Sequence, residues 1–125
     1  MRYKLFVYGT LKRGFCNHHY LKNATFLGKA TTKANYVMIA PKVWYPYLIE
    51  AQGKGKQIVG ELYMIDLPTL KRIDRLEEYP VYYDRKKIIV LDEAGKEHEA
   101  LAYFLKKKIP YWRFVYLKEF HPPQE

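Results

Sequence analysis

Apolar residues in this chain follow two periods, one helical and one alternating. The helical one lies in Asp66–Pro80, DLPTLKRIDRLEEYP. At about 100° per residue, Leu67, Leu70, Ile73 and Leu76 form one apolar face, and Lys71, Arg72 and Arg75 take the other. Asp66 suits the N-cap, Pro68 falls in the first turn where its missing N–H costs nothing, and Pro80 closes the run. Glu77 lies one turn beyond Ile73 and so points into the apolar face. A carboxyl group there pays desolvation, which raises its pKa and suits it to general acid/base work near neutral pH. The ordinary reading stands beside this one: a glutamate at the rim of a stripe bends outwards and pairs with a Lys or Arg. Glu78 falls nearer the basic side, and a shift of phase by one residue exchanges the two.

The other segments read as strands. Tyr3–Tyr8 is a dense apolar run broken only by Lys4, as expected of an interior strand. Thr25–Thr32, Asn35–Ala40, Ile58–Ile65, Tyr82–Leu91 and Lys96–Leu105 follow, with Asp92–Gly95 as a hairpin turn between the last two. Gly60 marks a bulge or a close backbone contact. Lys42–Tyr47, punctuated by Pro41 and Pro46 and carrying Trp44 and Tyr45, is a loop that either walls a pocket or packs the core. The aromatic tail Ile109–Phe120 fits helix or strand, and His121-Pro122-Pro123 reads as a frayed end. With no repeat or linker, the pattern predicts one α+β domain over residues 1–125.

Composition narrows the function classes. Hydrophobic residues make up 49%, enough for a compact core, yet no apolar run reaches the roughly 18 residues of a membrane span. The opening MRYKLFVYGT goes straight into strand-like sequence without a leader pattern. Cys16 is the single cysteine, which excludes an intramolecular disulfide and fits a reducing, cytoplasmic setting. The formal net charge is +9, but the basic residues are scattered in short clusters such as Lys54/Lys56, Arg85–Lys87 and Lys106–Lys108. That distribution favours a solvated surface over a nucleic-acid stripe.

The chemistry-bearing stretch near the N-terminus is Tyr8-Gly9-Thr10-Leu11-Lys12-Arg13-Gly14, a loop at a strand end. Such a loop can aim several backbone N–H groups at one point and cradle an anion or oxyanion, or it can be an ordinary glycine turn. Gly9 and Gly14 have the first half of a P-loop spacing, but Phe15 and Cys16 replace the required Lys and Ser/Thr, which excludes a nucleoside triphosphate. Cys16-Asn17-His18-His19 makes a poor nucleophile pair or metal site, because adjacent histidines diverge and His98 and His121 lack ligand spacing; no metal is expected. Asn17 is placed to cap a short helix through Lys22. Glu61 is a second candidate carboxylate, and Arg85 and Tyr103 face either a cleft or the surface.

Taken together, these segments resemble a known family. Tyr8-Gly9-Thr10-Leu11 followed by Gly14 and Asn17-His18, then Val59-Gly60-Glu61-Leu62-Tyr63, then Ile73-Asp74-Arg75-Leu76-Glu77-Glu78-Tyr79-Pro80 and Tyr83-Asp84-Arg85, is similar to the motif series of the gamma-glutamylcyclotransferase-like superfamily. The nearest branch is the AIG2-like and gamma-glutamylamine cyclotransferase group. The resemblance implies a small mixed β-barrel, or a strongly curved sheet, with a few short helices packed outside. It implies Glu77 as the acid/base group and Tyr8, Gly9, Thr10 and Leu11 as the substrate-holding loop, acting through backbone groups. The chemistry implied releases 5-oxoproline and a free amine from a gamma-glutamyl amine or peptide by intramolecular aminolysis, with no cofactor. The competing class is a non-catalytic module that binds a gamma-glutamyl or amino-acid-like molecule on the same fold.

Overall fold

The computed structural model describes residues 1–51 and 53–121. Eight named elements follow one another: β1 (Arg2–Val7), β2 (Thr25–Thr32), β3 (Val37–Ile39), β4 (Tyr47–Ile49), β5 (Val59–Asp66), α1 (Leu67–Leu76), β6 (Tyr83–Asp92) and β7 (Glu97–Leu105). Two short 3-10 turns, His18–Leu21 and Tyr111–Arg113, complete the set. β1, β5, β2, β6 and β7 are hydrogen-bonded in that order and close into a barrel, while β3 and β4 form a separate two-stranded ribbon. All barrel pairs are antiparallel except the closing one, where β1 runs parallel to β7 at Leu5 and Leu101. The small mixed β-barrel implied by the resemblance is therefore the fold observed.

Alternation explains why the strands look almost continuously apolar. Successive side chains point to opposite faces, and here both faces are covered. Leu5 and Val7 of β1, Tyr63 and Ile65 of β5, and Tyr103 and Leu105 of β7 pack with Leu70 and Ile73 of α1. Phe6, Leu62, Ala100, Ala102 and Phe104, from the other face of the same strands, pack with Met38, Leu48 and Phe120. Gly60 is needed where β5 passes β1: a Cβ there would sit 2.3 Å from the Val7 carbonyl oxygen and 2.8 Å from the Phe6 ring. The register irregularity lies on β2 instead, between Phe26 and Gly28.

Helix α1 begins as its sequence dictates. Asp66 caps it, its side chain accepting from the Thr69 N–H at 2.9 Å, and Pro68 occupies the first turn. It ends at Leu76, short of Pro80, for a local reason. Glu78 adopts a left-handed φ of 54°. The Glu78 N–H then donates to Arg75 O at 3.2 Å and the Tyr79 N–H to Asp74 O at 2.9 Å. This pair of bonds is the Schellman arrangement, which satisfies the last carbonyls and turns the chain away.

Three other expectations need correction. The tail Ile109–Phe120 is neither helix nor strand beyond the single turn Tyr111–Arg113; long-range bonds hold it, from Leu117 N–H to Met38 O and from Val59 N–H to Lys118 O, both 2.8 Å. Asn17 stands at the cap position of the turn His18–Leu21, but its side chain makes no cap bond. Tyr47–Ile49, part of which was read as loop, is a strand because it pairs with β3. The Pro122-Pro123 part of the expected frayed end lies outside the described residues.

Candidate active site

The end of β1, the end of α1 and the loop before β4 meet around a cavity of about 340 Å³, in the size range of small-molecule sites. Tyr8, Gly9, Thr10 and Leu11 line one side and Glu77 and Glu78 another, with Tyr83 and Tyr103 from β6 and β7 and Trp44, Tyr45 and Pro46 from the aromatic loop. The two stretches singled out in the sequence thus share one cavity. Lys42–Tyr47, open between pocket wall and core packing, supplies wall through Trp44, Tyr45 and Pro46 and core through the buried Tyr47.

The loop is held from behind. The Tyr8 hydroxyl donates to the Tyr103 carbonyl at 2.8 Å, fixing the end of β1 to β7. The Gly9 carbonyl accepts from the Lys12 N–H at 3.0 Å, and the Thr10 carbonyl from the Asn17 N–H at 3.0 Å. His18 Nδ1 donates to the Leu11 carbonyl at 2.9 Å, and Asn17 Nδ2 donates to Thr10 Oγ1 at 2.9 Å. All three loop carbonyls are therefore engaged. Among the described residues, the N–H groups of Gly9, Thr10 and Leu11 donate to no protein acceptor. Such a segment presents donors without acceptors, which is what binding an anion or a developing oxyanion requires. Pro46 lies against Gly9, 2.9 Å from where a Cβ would be, so a side chain at Gly9 would collide with the wall of the cavity.

Glu77 follows the last helical residue and keeps the helical bond from its N–H to Ile73 O at 2.9 Å. It is half-buried, and its carboxylate has no ion pair or hydrogen bond among the described residues. The outward-bending, lysine-paired alternative is therefore not what forms. Burial without a compensating partner pushes the carboxyl from its ordinary 4.5 up to about 7. The same burial raises the phenols of Tyr8, Tyr83 and Tyr103, which stay neutral at physiological pH.

This has a consequence for stability. Between the unfolded pKa near 4.5 and the folded value of about 7, the folded protein binds the proton more tightly than the unfolded chain. Glu77 thus costs stability progressively as pH rises through that window. Glu77→Gln is expected to be more stable than the wild type at pH 8, by about 3 kcal/mol, with the difference vanishing near pH 4. Urea titrations of both proteins at the two pH values measure it.

Neighbouring polar groups brace the site. The Tyr103 hydroxyl donates to Asp74 Oδ1 at 2.6 Å, and Arg85 pairs with the other Asp74 oxygen while lying over the Tyr79 ring at 4.5 Å. Tyr103 faces the cavity, whereas Arg85 does not line it. Glu61, the second candidate carboxylate, is occupied elsewhere: it accepts from the Arg13 N–H at 2.9 Å and the Tyr63 hydroxyl at 3.0 Å, and it does not line the cavity. Cys16 lines the cavity, but the two histidines that follow it serve backbone carbonyls: His18 bonds Leu11 O and His19 bonds Cys16 O. Among the described residues no group of His, Cys, Asp and Glu is arranged to hold a metal ion, and no helix is long and apolar enough to cross a membrane. The bracing by Asn17 and His18 is local, each bonding a residue seven positions earlier in the loop, but no period or spacing marks it; that by Asp74 escaped sequence reasoning because its bonds to Tyr103 and Arg85 form only when α1 packs on the barrel.

Comparison with known proteins gives one consistent family. Residues 5–121 match the family described as "Gamma-glutamyl cyclotransferase, AIG2-like". A Methanocaldococcus jannaschii protein named "Putative gamma-glutamylcyclotransferase" is 50% identical over 101 residues, covering 80% of this chain and 82% of its own length. Gamma-glutamylaminecyclotransferase A of Danio rerio is 40% identical over 116 residues, covering 86% of this chain and 72% of its own. The crystal structure of an AIG2-like protein from Mus musculus superposes with a TM-score of 0.86 at 31% identity, covering 96% of this chain and 88% of that one.

Proposed function

Given that this chain belongs to the gamma-glutamyl cyclotransferase, AIG2-like family, we propose that it releases 5-oxoproline and a free amine from gamma-glutamyl amines, with Glu77 as the proton-transfer group. The observation that carries the reading is the half-buried, partnerless Glu77 carboxyl in the same cavity as the unengaged N–H groups of Gly9–Leu11.

The reaction asks little of a protein. The substrate's own α-amine attacks its γ-carbonyl, a five-membered lactam forms, and the bond to the distal amine breaks. No water is consumed and no redox change occurs. Glu77 takes a proton from the attacking ammonium nitrogen and returns one to the departing nitrogen, so a single carboxyl serves as base and then as acid. The N–H groups of Gly9, Thr10 and Leu11 stabilise the carbonyl oxygen as it gains charge. The buried aromatic floor of Tyr8, Tyr83 and Tyr103 excludes water and holds the glutamyl chain curled, which turns tethering into rate.

The test is release of 5-oxoproline from synthetic gamma-glutamyl amines. If calorimetry records binding while no product accumulates, the non-catalytic module is the correct reading. A base must be unprotonated in the free enzyme. After correction for the substrate's own titration, kcat/KM is therefore expected to rise about tenfold per pH unit up to a bend near 7 and then level, following the displaced Glu77 carboxyl. A profile flat from pH 5 to 8 would remove Glu77 from the rate-determining proton transfer.

A further inference from the structure

Lys12 is buried, with 6% of its side chain exposed, although it takes no part in the proton transfer. Lysine is almost never sequestered without a partner. Its partner here is a main-chain oxygen: Nζ donates to the Phe120 carbonyl at 2.7 Å, across 108 residues of chain. The Phe15 ring lies 5.1 Å from the ammonium, and the Glu119 carboxylate stands 4.0 Å away, beyond hydrogen-bond reach. Burial lowers the Lys12 pKa, against the opposing pull of Glu119 and Glu61. An apolar side chain of similar volume would fill the space without that cost.

Position explains what stability does not. Lys12 directly follows Gly9-Thr10-Leu11, and its own N–H donates to the Gly9 carbonyl at 3.0 Å, closing the turn. Its side chain then fastens that turn to the C-terminal segment. The fastening point is itself fixed. Phe120 is 2% exposed, and its ring sits 5.7 Å from that of Phe15. Just before it, the Leu117 N–H donates to Met38 O and the Val59 N–H donates to Lys118 O, both at 2.8 Å. A continuous series of contacts thus runs from β3 and β5 through the C-terminal segment to the turn. Lys12 does not line the cavity, so it acts on a substrate only through the main chain it holds.

We propose that Lys12 is a positioning residue: by clamping the Phe120 carbonyl it sets the direction of the Gly9–Leu11 N–H groups, which makes the C-terminal segment part of the active-site assembly. The inference rests on the cyclotransferase reading and adds what holds its oxyanion cradle in place. Donors stabilise developing charge most when they are aimed before the reaction starts. A displacement on the order of 1 Å costs about 100-fold in rate. A turn freed at this one anchor, with the Asn17 and His18 bonds intact, loses less, about 30-fold. Because the donors act on the oxygen as it gains charge, the loss falls on kcat rather than on KM.

The experiment measures 5-oxoproline release from synthetic gamma-glutamyl amines by the wild type, Lys12→Met and Lys12→Arg, well below the melting temperature of each. Backbone amide order parameters of Gly9, Thr10 and Leu11 are measured on the same three proteins by NMR relaxation. In Lys12→Met, kcat is expected to fall about 30-fold with KM within about threefold of the wild type, and the order parameters to drop from about 0.85 towards 0.6. Lys12→Arg, whose guanidinium still donates and stacks on aromatic faces, is expected to recover most of the lost kcat. A merely structural role would lower the melting temperature and leave both kcat per folded molecule and the order parameters unchanged, which overturns the inference. Should Lys12→Met fail to fold, the substrate-free wild type still decides: order parameters near 0.85 support a held cradle, and values below about 0.6 overturn the inference. If the wild type releases no 5-oxoproline while Lys12→Met loosens the turn, the cyclotransferase reading falls and the clamp stands.

Discussion

Glu77→Gln is expected to lower kcat for 5-oxoproline release by about 100-fold or more, the scale of losing a general acid/base. The amide has nearly the volume of the acid, so the floor and walls of the cavity are preserved. It cannot take up the proton that the attacking nitrogen must shed, nor deliver one to the leaving nitrogen. Because the Glu77 carboxylate makes no bond to the protein among the described residues, the substitution removes no structural contact. The variant should therefore be inactive and, above pH 7, more stable than the wild type. That combination is hard to obtain by misfolding, which lowers both. A variant that keeps a rate within threefold of the wild type would show that another group moves the proton.

The second large effect is on the barrel. Gly60→Ala places a methyl group 2.3 Å from the Val7 carbonyl oxygen and 2.8 Å from the Phe6 ring. Backbone on one side and a fully buried ring on the other leave no flexible atom to yield. Overpacking of this kind costs about 3 kcal/mol, and for a domain of this size the midpoint of thermal unfolding should fall by roughly 10 °C. Val7 also leads directly into Tyr8, so strand displacement reaches the loop whose N–H groups are proposed to hold the substrate. Activity should therefore fall even well below the melting temperature, through a misplaced cradle rather than through unfolding. A melting temperature within 2 °C of the wild type would mean that β1 and β5 approach less closely than described.

How much of this was readable in the chain differs by element. Helix α1 and the direction of Glu77 followed from local spacing, since Leu70 and Ile73 set the phase and Asp66 and Pro68 set the start. Its early end did not, because the signal that usually marks a helix stop is glycine and here Glu78 takes the left-handed position. The five barrel strands were visible as alternating or dense apolar runs. β4 was hidden, being three residues long within an aromatic stretch and defined only by its pairing with β3. The tail was ambiguous for a related reason: Leu117 and Phe120 are fixed by residues far away in the chain rather than by a local period. In the site, Tyr8–Leu11 and Glu77 were legible as chemistry, one as a glycine-containing strand end and the other as a misplaced acid. The tyrosine floor was not, because Tyr8, Tyr83 and Tyr103 come from three strands that meet only when the barrel closes.

A crystal structure with 5-oxoproline bound tests the central claim most directly. The account predicts the lactam in the cavity between the two stretches, its ring carbonyl oxygen within hydrogen-bond distance of at least one N–H of Gly9, Thr10 or Leu11, and its ring N–H directed at the Glu77 carboxylate. A lactam bound away from this cavity, or bound within it with the Glu77 carboxylate beyond hydrogen-bond reach, would contradict it.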